Sequence, residues 1–140
     1  MVGSVRCYNL TQDCWKMKEF RLSKGRDRTK IKLFAYHLGN DLIVCIFNEN
    51  AHLGAVAIGE YDFKEERASS SVVTRLGHRD DEIAKRAAHL IARQTQKPVC
   101  VISGIHLNNI TKQEISEILQ QADGLVTDFL NELGKSSEQD

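Results

Sequence analysis

The stretch Pro98-Val99-Cys100-Val101-Ile102-Ser103-Gly104-Ile105-His106-Leu107-Asn108-Asn109-Ile110-Thr111 separates two segments of different pattern. Its first five residues form an apolar run with the length of a buried strand. Beyond it, Ile115, Ile118, Leu119, Ala122, Leu125, Val126, Phe129, Leu130 and Leu133 recur at the spacing of one helix face. Thr111 with Glu114 three residues on is a capping box, which predicts a helix start at 110–112. The stretch is therefore a turn where a strand hands over to a helix. Helix starts expose backbone N–H groups at a positive dipole end. With His106, Asn108, Asn109 and Thr111 beside it, this turn is the best ligand-binding candidate in the chain.

Working outward, the other elements follow from period and turn chemistry. Residues 1–14 show neither period and read as an irregular arm. Residues 15–23 alternate weakly as an edge strand. Residues 29–38 form a second strand, and Gly39-Asn40 is a two-residue hairpin turn into a third at 41–47. Leu42-Ile43-Val44-Cys45-Ile46-Phe47 is apolar at every position, which predicts a central strand covered on both faces, by helices or by a subunit contact. A turn at 48–51 leads to a fourth strand at 52–59. There Gly54 and Gly59 mark a close approach by another backbone or a ligand. A fifth strand spans 69–76. Gly77-His78-Arg79-Asp80-Asp81-Glu82 is a second strand-to-helix turn, followed by a helix to about residue 94 with Ile83, Ala87, Leu90 and Ile91 on one face. The expectation is one α+β domain over 15–134, with about six mainly antiparallel strands, two helices in the C-terminal half, and a frayed tail at 135–140.

Bulk composition excludes several classes. Lys plus Arg equals Asp plus Glu at 19 each, so global charge favours neither nucleic acid nor a membrane surface. Locally, eight basic residues lie between Lys16 and Lys32, interleaved with apolar positions as on the solvent face of two strands. No apolar run is long enough to span a bilayer and the N-terminus lacks a signal peptide's apolar segment, so the expected location is cytoplasmic. Cys7, Cys14, Cys45 and Cys100 lack metal-site spacing. No Gly-x-Ser-x-Gly, Gly-x-Gly-x-x-Gly or phosphate-loop motif is present. His37 and His89 read as boundary or surface residues.

Topology brings the remaining histidines together. Antiparallel neighbours and a right-handed crossover through the first helix put the turns bearing His52, His78 and His106 at one end of the sheet. With Arg79 and two helix starts, that end suits a phosphate or carboxylate. A three-histidine metal site with an open position, and purely structural turn histidines, are the alternatives.

Three segments in matching order resemble a known family: Ala51-His52-Leu53-Gly54-Ala55-Val56-Ala57, Gly77-His78-Arg79-Asp80-Asp81-Glu82-Ile83-Ala84 and Gly104-Ile105-His106-Leu107-Asn108-Asn109-Ile110-Thr111-Lys112-Gln113-Glu114-Ile115. They are similar to the small prenylated-flavin chaperones associated with gallate decarboxylase as its D subunit, whose domain looks like that of the proteasome assembly chaperones. The resemblance implies a non-enzymatic protein that binds prenylated flavin mononucleotide (prenylated FMN) and serves a flavin-dependent decarboxylase. On it, the cofactor-binding residues are His52, Gly54, Ala55, His78, Arg79, His106, Asn108, Asn109 and Thr111. The strand with Gly54 and Ala55 lies against the ring, and the turns hold the phosphate. A homo-oligomer is expected, with the apolar stripe of the last helix available for a subunit contact. The alternative is an assembly scaffold without cofactor; a metal hydrolase using the three histidines is a third reading.

Overall fold

The computed structural model describes residues 18–75 and 80–138. The predicted arm with Cys7 and Cys14, and the turn residues Gly77, His78 and Arg79, lie outside the described residues. The elements are β1 (Phe20–Lys24), a 3-10 turn (Asp27–Thr29), β2 (Ile31–Leu38), β3 (Asp41–Phe47), β4 (Ala55–Asp62), β5 (Arg67–Thr74), α1 (Asp81–Thr95), β6 (Val99–Gly104) and α2 (Lys112–Glu138). Four of the residues assigned to a frayed tail, 135–138, continue α2.

The six strands form one sheet in the order β1-β2-β3-β6-β4-β5. Neighbours are antiparallel except β3 and β6, which run parallel. The direct turn from third to fourth strand is corrected here, because β6 is inserted between β3 and β4. The connecting residues 48–54 step across the end of β6, and the fourth strand starts at Ala55, three residues later than its period suggests. The loop to β5 shortens accordingly: the Asp62 carboxylate accepts the backbone N–H groups of Lys64 and Glu65 at 2.9 and 3.2 Å and makes the turn tight.

Alternation decides which side of the sheet is core. Ile31, Leu33, Ala35, Leu42, Val44 and Ile46 are at most 1% exposed and share one face with Ala55, Ala57, Val99 and Val101. Both helices cover that face, α1 over β4, β5 and β6 and α2 over β1 and β2. From α1 come Ile83, Ala84, Ala87, Ala88 and Ile91, and from α2 Ile118, Ala122, Leu125, Val126 and Phe129. Phe20 meets the edge of the Phe129 ring at 5.2 Å. The alanines let α1 sit close to the sheet, and at Gly59 a Cβ would overlap the Ala88 carbonyl.

β3 is central, as its composition requires, yet helices cover it on one side only. Leu42, Val44 and Ile46 are buried beneath them, whereas Ile43, Cys45 and Phe47 are half-buried on the opposite face. That opposite face has no layer over it among the described residues.

The close approach at Gly59 predicts a test by pairwise substitution. Gly59→Ala should lower unfolding free energy by about 1–3 kcal/mol through overpacking against the α1 backbone. At Gly134, where an added methyl meets no atom of the described residues within 4 Å, the same change in α2 should raise it by up to about 1 kcal/mol. Urea denaturation of both variants checks the sign of each.

Candidate functional site

Because β3 and β6 are parallel and β4 runs against β6, the ends of β3, β5 and β6 and the start of β4 share one end of the sheet. The loop from β3 crosses over β6 so closely that a Cβ on Gly104 would overlap the His52 carbonyl. The crossing is locked by backbone bonds, Gly54 N–H to Ser103 O and Arg75 N–H to Gly54 O, both 2.9 Å. Asn48, 4% exposed, holds the same crossing from below. Its side-chain amide donates to the His106 carbonyl at 2.8 Å and accepts the His106 N–H at 3.2 Å. The consequence is that the His52 and His106 rings lie 5.3 Å apart, tilted by 55°.

The third turn enters through Asp80, which is 5% exposed. One carboxylate oxygen accepts the Ile105 N–H at 3.0 Å and the Ser103 hydroxyl at 3.3 Å. The other fills the space that Gly54 leaves open. Gly54 is thus a close-approach glycine, but the group that approaches it is Asp80 rather than a ring. Ala55, 1% exposed, faces the helices and belongs to the core, so its side chain is turned away from the open face. Alternation explains this: the residues of β4 directed to the open face are Val56 and Ile58.

The α2 turn is largely occupied by its own bonds. The Thr111 hydroxyl accepts the Glu114 N–H at 3.1 Å and Glu114 accepts the Thr111 N–H at 3.0 Å, completing the capping box. Asn109 has a left-handed backbone (φ 53°), and the Asn108 side chain shares a 3.0 Å hydrogen bond with the His106 ring. Arg28 reaches in from the 3-10 turn, donating to both Glu114 oxygens and, at 2.7 Å, to the Asn108 carbonyl. These Arg28 hydrogen bonds, then the Thr111 N–H, hold the Glu114 carboxyl at about 2. The α1 start carries Asp81 and Glu82, which oppose an anion there. Neither helix start, then, is the most favourable described place for a phosphate.

A better place lies on the open face, where basic side chains that the sequence pattern does not single out border a groove. It has a volume of about 860 Å³ and runs beside His52 over Phe34, Cys45, Phe47 and Ile102, with Arg21, Lys30 and Lys32 along its rim. Arg21 stands 4.9 Å from the centre of the Phe34 ring. Neither Lys30 nor Lys32 forms an ion pair among the described residues. The sequence signal for them is the Lys16-to-Lys32 basic run, which alternation sends partly to this face. Burial pushes the Cys45 thiol up, with Cys100 nearby adding to it, and burial also raises Cys100. Among the described residues no three His, Cys, Asp or Glu side chains cluster to hold a metal ion. No helix of the described residues is long and apolar enough to cross a membrane.

Comparison with known proteins adds two findings. The model of the prenylated flavin chaperone LpdD-like domain matches residues 25–134. A chain from the crystal structure of a novel chaperone complex for yeast 20S proteasome assembly has the same fold, with a TM-score of 0.58 at 12% identity, over 86% of this chain and 97% of that one. No curated protein matches by sequence.

The Arg28–Glu114 bond yields a prediction in pH. Since the folded carboxyl sits at about 2 against an ordinary 4.5, its stabilising contribution is complete above 4.5 and is lost as pH falls towards about 2. Arg28→Met should return Glu114 towards its ordinary value, read by NMR titration of the side chain. A Glu114 titration that does not move would show that the pair does not hold the turn.

Proposed function

We propose, from the premise that this chain belongs to the LpdD-like prenylated flavin chaperone family, that its open groove binds prenylated FMN and passes it to a flavin-dependent decarboxylase. The protein acts as a homo-oligomer, without turnover of its own. The observation that carries this reading is the pairing of a flat apolar floor with a cationic rim in one groove. A flavin has the same two parts, a planar ring system and a phosphate. Phe34, Phe47 and Ile102 offer the ring a bed on the sheet, and Lys30 and Lys32, in no ion pair among the described residues, offer the phosphate charge. The groove's size lies within the roughly 300–1,000 Å³ typical of small-molecule sites.

When bound, the cofactor supplies the electrophilic ring chemistry that the recipient enzyme uses. The chaperone's residues bind and protect it. His52 lines the groove, and the His106 ring lies 5.3 Å behind it. His106 is itself oriented by Asn108. Burial, with Cys100 nearby, pushes the Cys45 thiol up, which weakens it as a nucleophile beside a bound flavin. An open-sided groove also suits a carrier, because the ligand leaves along the path by which it came. His78 and Arg79, which follow β5 and precede α1 in sequence and lie outside the described residues, remain candidates for the same ligand.

Titration with FMN and with prenylated FMN, followed by flavin fluorescence, tests the reading. The prenylated form should bind more tightly. Lys30→Ala with Lys32→Ala should weaken both about tenfold or more, as expected for loss of charged contacts to a phosphate, with the melting temperature retained. Unchanged affinity would move the phosphate site away from this rim. No response to either flavin would favour the assembly scaffold.

A further inference from the structure

The sheet end away from His52 and His106 has a cleft of its own, on the side that the helices cover. It has a volume of about 390 Å³ and opens between the last turn of α1, the β2–β3 hairpin and the C-terminal half of α2. Leu42, which is 1% exposed, makes its floor together with the half-buried Leu130 and Leu133. His37 and Lys97 stand on either side, and no carboxylate is among the described residues that line it. Lys97 forms no ion pair among the described residues.

Local structure places these two groups. Gln96 ends α1 in a left-handed backbone (φ 56°), its N–H donating to the Ala92 carbonyl at 2.8 Å. The chain therefore turns off the helix axis before Lys97. The Thr95 hydroxyl accepts the Lys97 N–H at 3.2 Å, and the Leu42 N–H donates to the Pro98 carbonyl at 3.2 Å. Those bonds hold the Lys97 backbone beside the start of β3. On the other flank of β3, register pairs His37 with Leu42, and alternation turns His37 to the helix side with Leu33 and Ala35. Its ring lies 6.4 Å from that of Phe20 and is in no hydrogen bond among the described residues.

We infer that this cleft binds a small monocarboxylate with an apolar body: the carboxylate sits between Lys97 and His37, and the body lies over Leu42, Leu130 and Leu133. Charge is the first reason. Burial, then Lys97, pushes the His37 imidazole below its ordinary value, so a second positive charge is disfavoured in the cleft and an anion is favoured. The negative end of the α1 dipole, which opposes an anion, is partly answered: the Thr95 hydroxyl donates to the Ile91 carbonyl at 2.7 Å and Gln96 caps Ala92. Size is the second reason. A volume of 390 Å³ lies near the lower end of the roughly 300–1,000 Å³ of small-molecule sites, which suits a short chain or a single ring rather than a nucleotide. The cleft shares no lining residue with the groove, and the inference does not rest on the cofactor reading.

Titration of the full chain with hexanoate, hexanamide and acetate, followed by NMR of the His37 ring and the lysine side chains, tests it. Hexanoate should shift the His37 resonances to saturation. It should bind at least about tenfold more tightly than hexanamide, which lacks the charge, or acetate, which lacks the apolar body. Lys97→Met, at an exposed position, should weaken hexanoate about tenfold with the melting temperature retained. Equal affinity for hexanoate and hexanamide overturns the inference, as does an unchanged hexanoate affinity in Lys97→Met. Acetate binding as tightly as hexanoate overturns the assignment of an apolar body. Shifts confined to Lys30 and Lys32 put the acid in the groove and overturn the inference as well. No flavin is present in these samples, so the outcome is independent of the flavin titration.

Discussion

The buried Asp80 carboxylate is the contact on which the arrangement of this end of the molecule depends. It reaches from the start of α1 into the space beside Gly54, and binds the hydroxyl of Ser103 and the N–H of Ile105. Three chain segments far apart in sequence are thus joined through one side chain. A hydrogen bond to a charged group contributes about 1.5–3 kcal/mol, and leaving a buried partner unsatisfied costs a similar amount. Asn48 repeats the device one turn away, where its amide pairs with both backbone groups of His106. Together these two side chains turn a meeting of loops into a rigid platform, and His52 and His106 are oriented by that platform.

The second constraint is layering. Both helices lie on one face of a sheet whose central strands are apolar on both. Small residues along α1 and Gly59 bring that helix down onto β4, which concentrates the core on one side. The other side keeps half-buried aromatic and aliphatic groups and, at one corner, a cationic rim. An apolar floor beside lysines that form no ion pair among the described residues is the chemical basis of the proposed flavin site. The floor of that groove lies on the sheet, where strand pairing rather than loop structure holds its side chains in place.

Much of this arrangement is legible in the chain itself. The apolar run at 98–102, the nine-residue stripe after it and the Thr111–Glu114 box identify a strand, a turn and a helix, because each rests on local periodicity and local hydrogen bonding. The convergence of the His52 and His106 turns follows from strand direction alone, which survives an error in neighbour order: β4 runs against β3 whether or not β6 stands between them. The close approach at Gly54 is legible too, but not what approaches, since Asp80 is distant in sequence. Ala55, set against a ring by the family resemblance and its small size, is turned by alternation toward the helices and is buried there.

By itself, the sequence determined the element types, the α+β class and the family, since these follow from side-chain period, turn chemistry and motif order. Only the tertiary structure decided that β6 splits β3 from β4, that both helices choose one face, and that Arg21, Lys30 and Lys32 border a groove beside His52. Those outcomes depend on which distant backbones can approach one another, as His52 approaches Gly104. No local pattern records that information, because it arises only when separate segments compete for the same space.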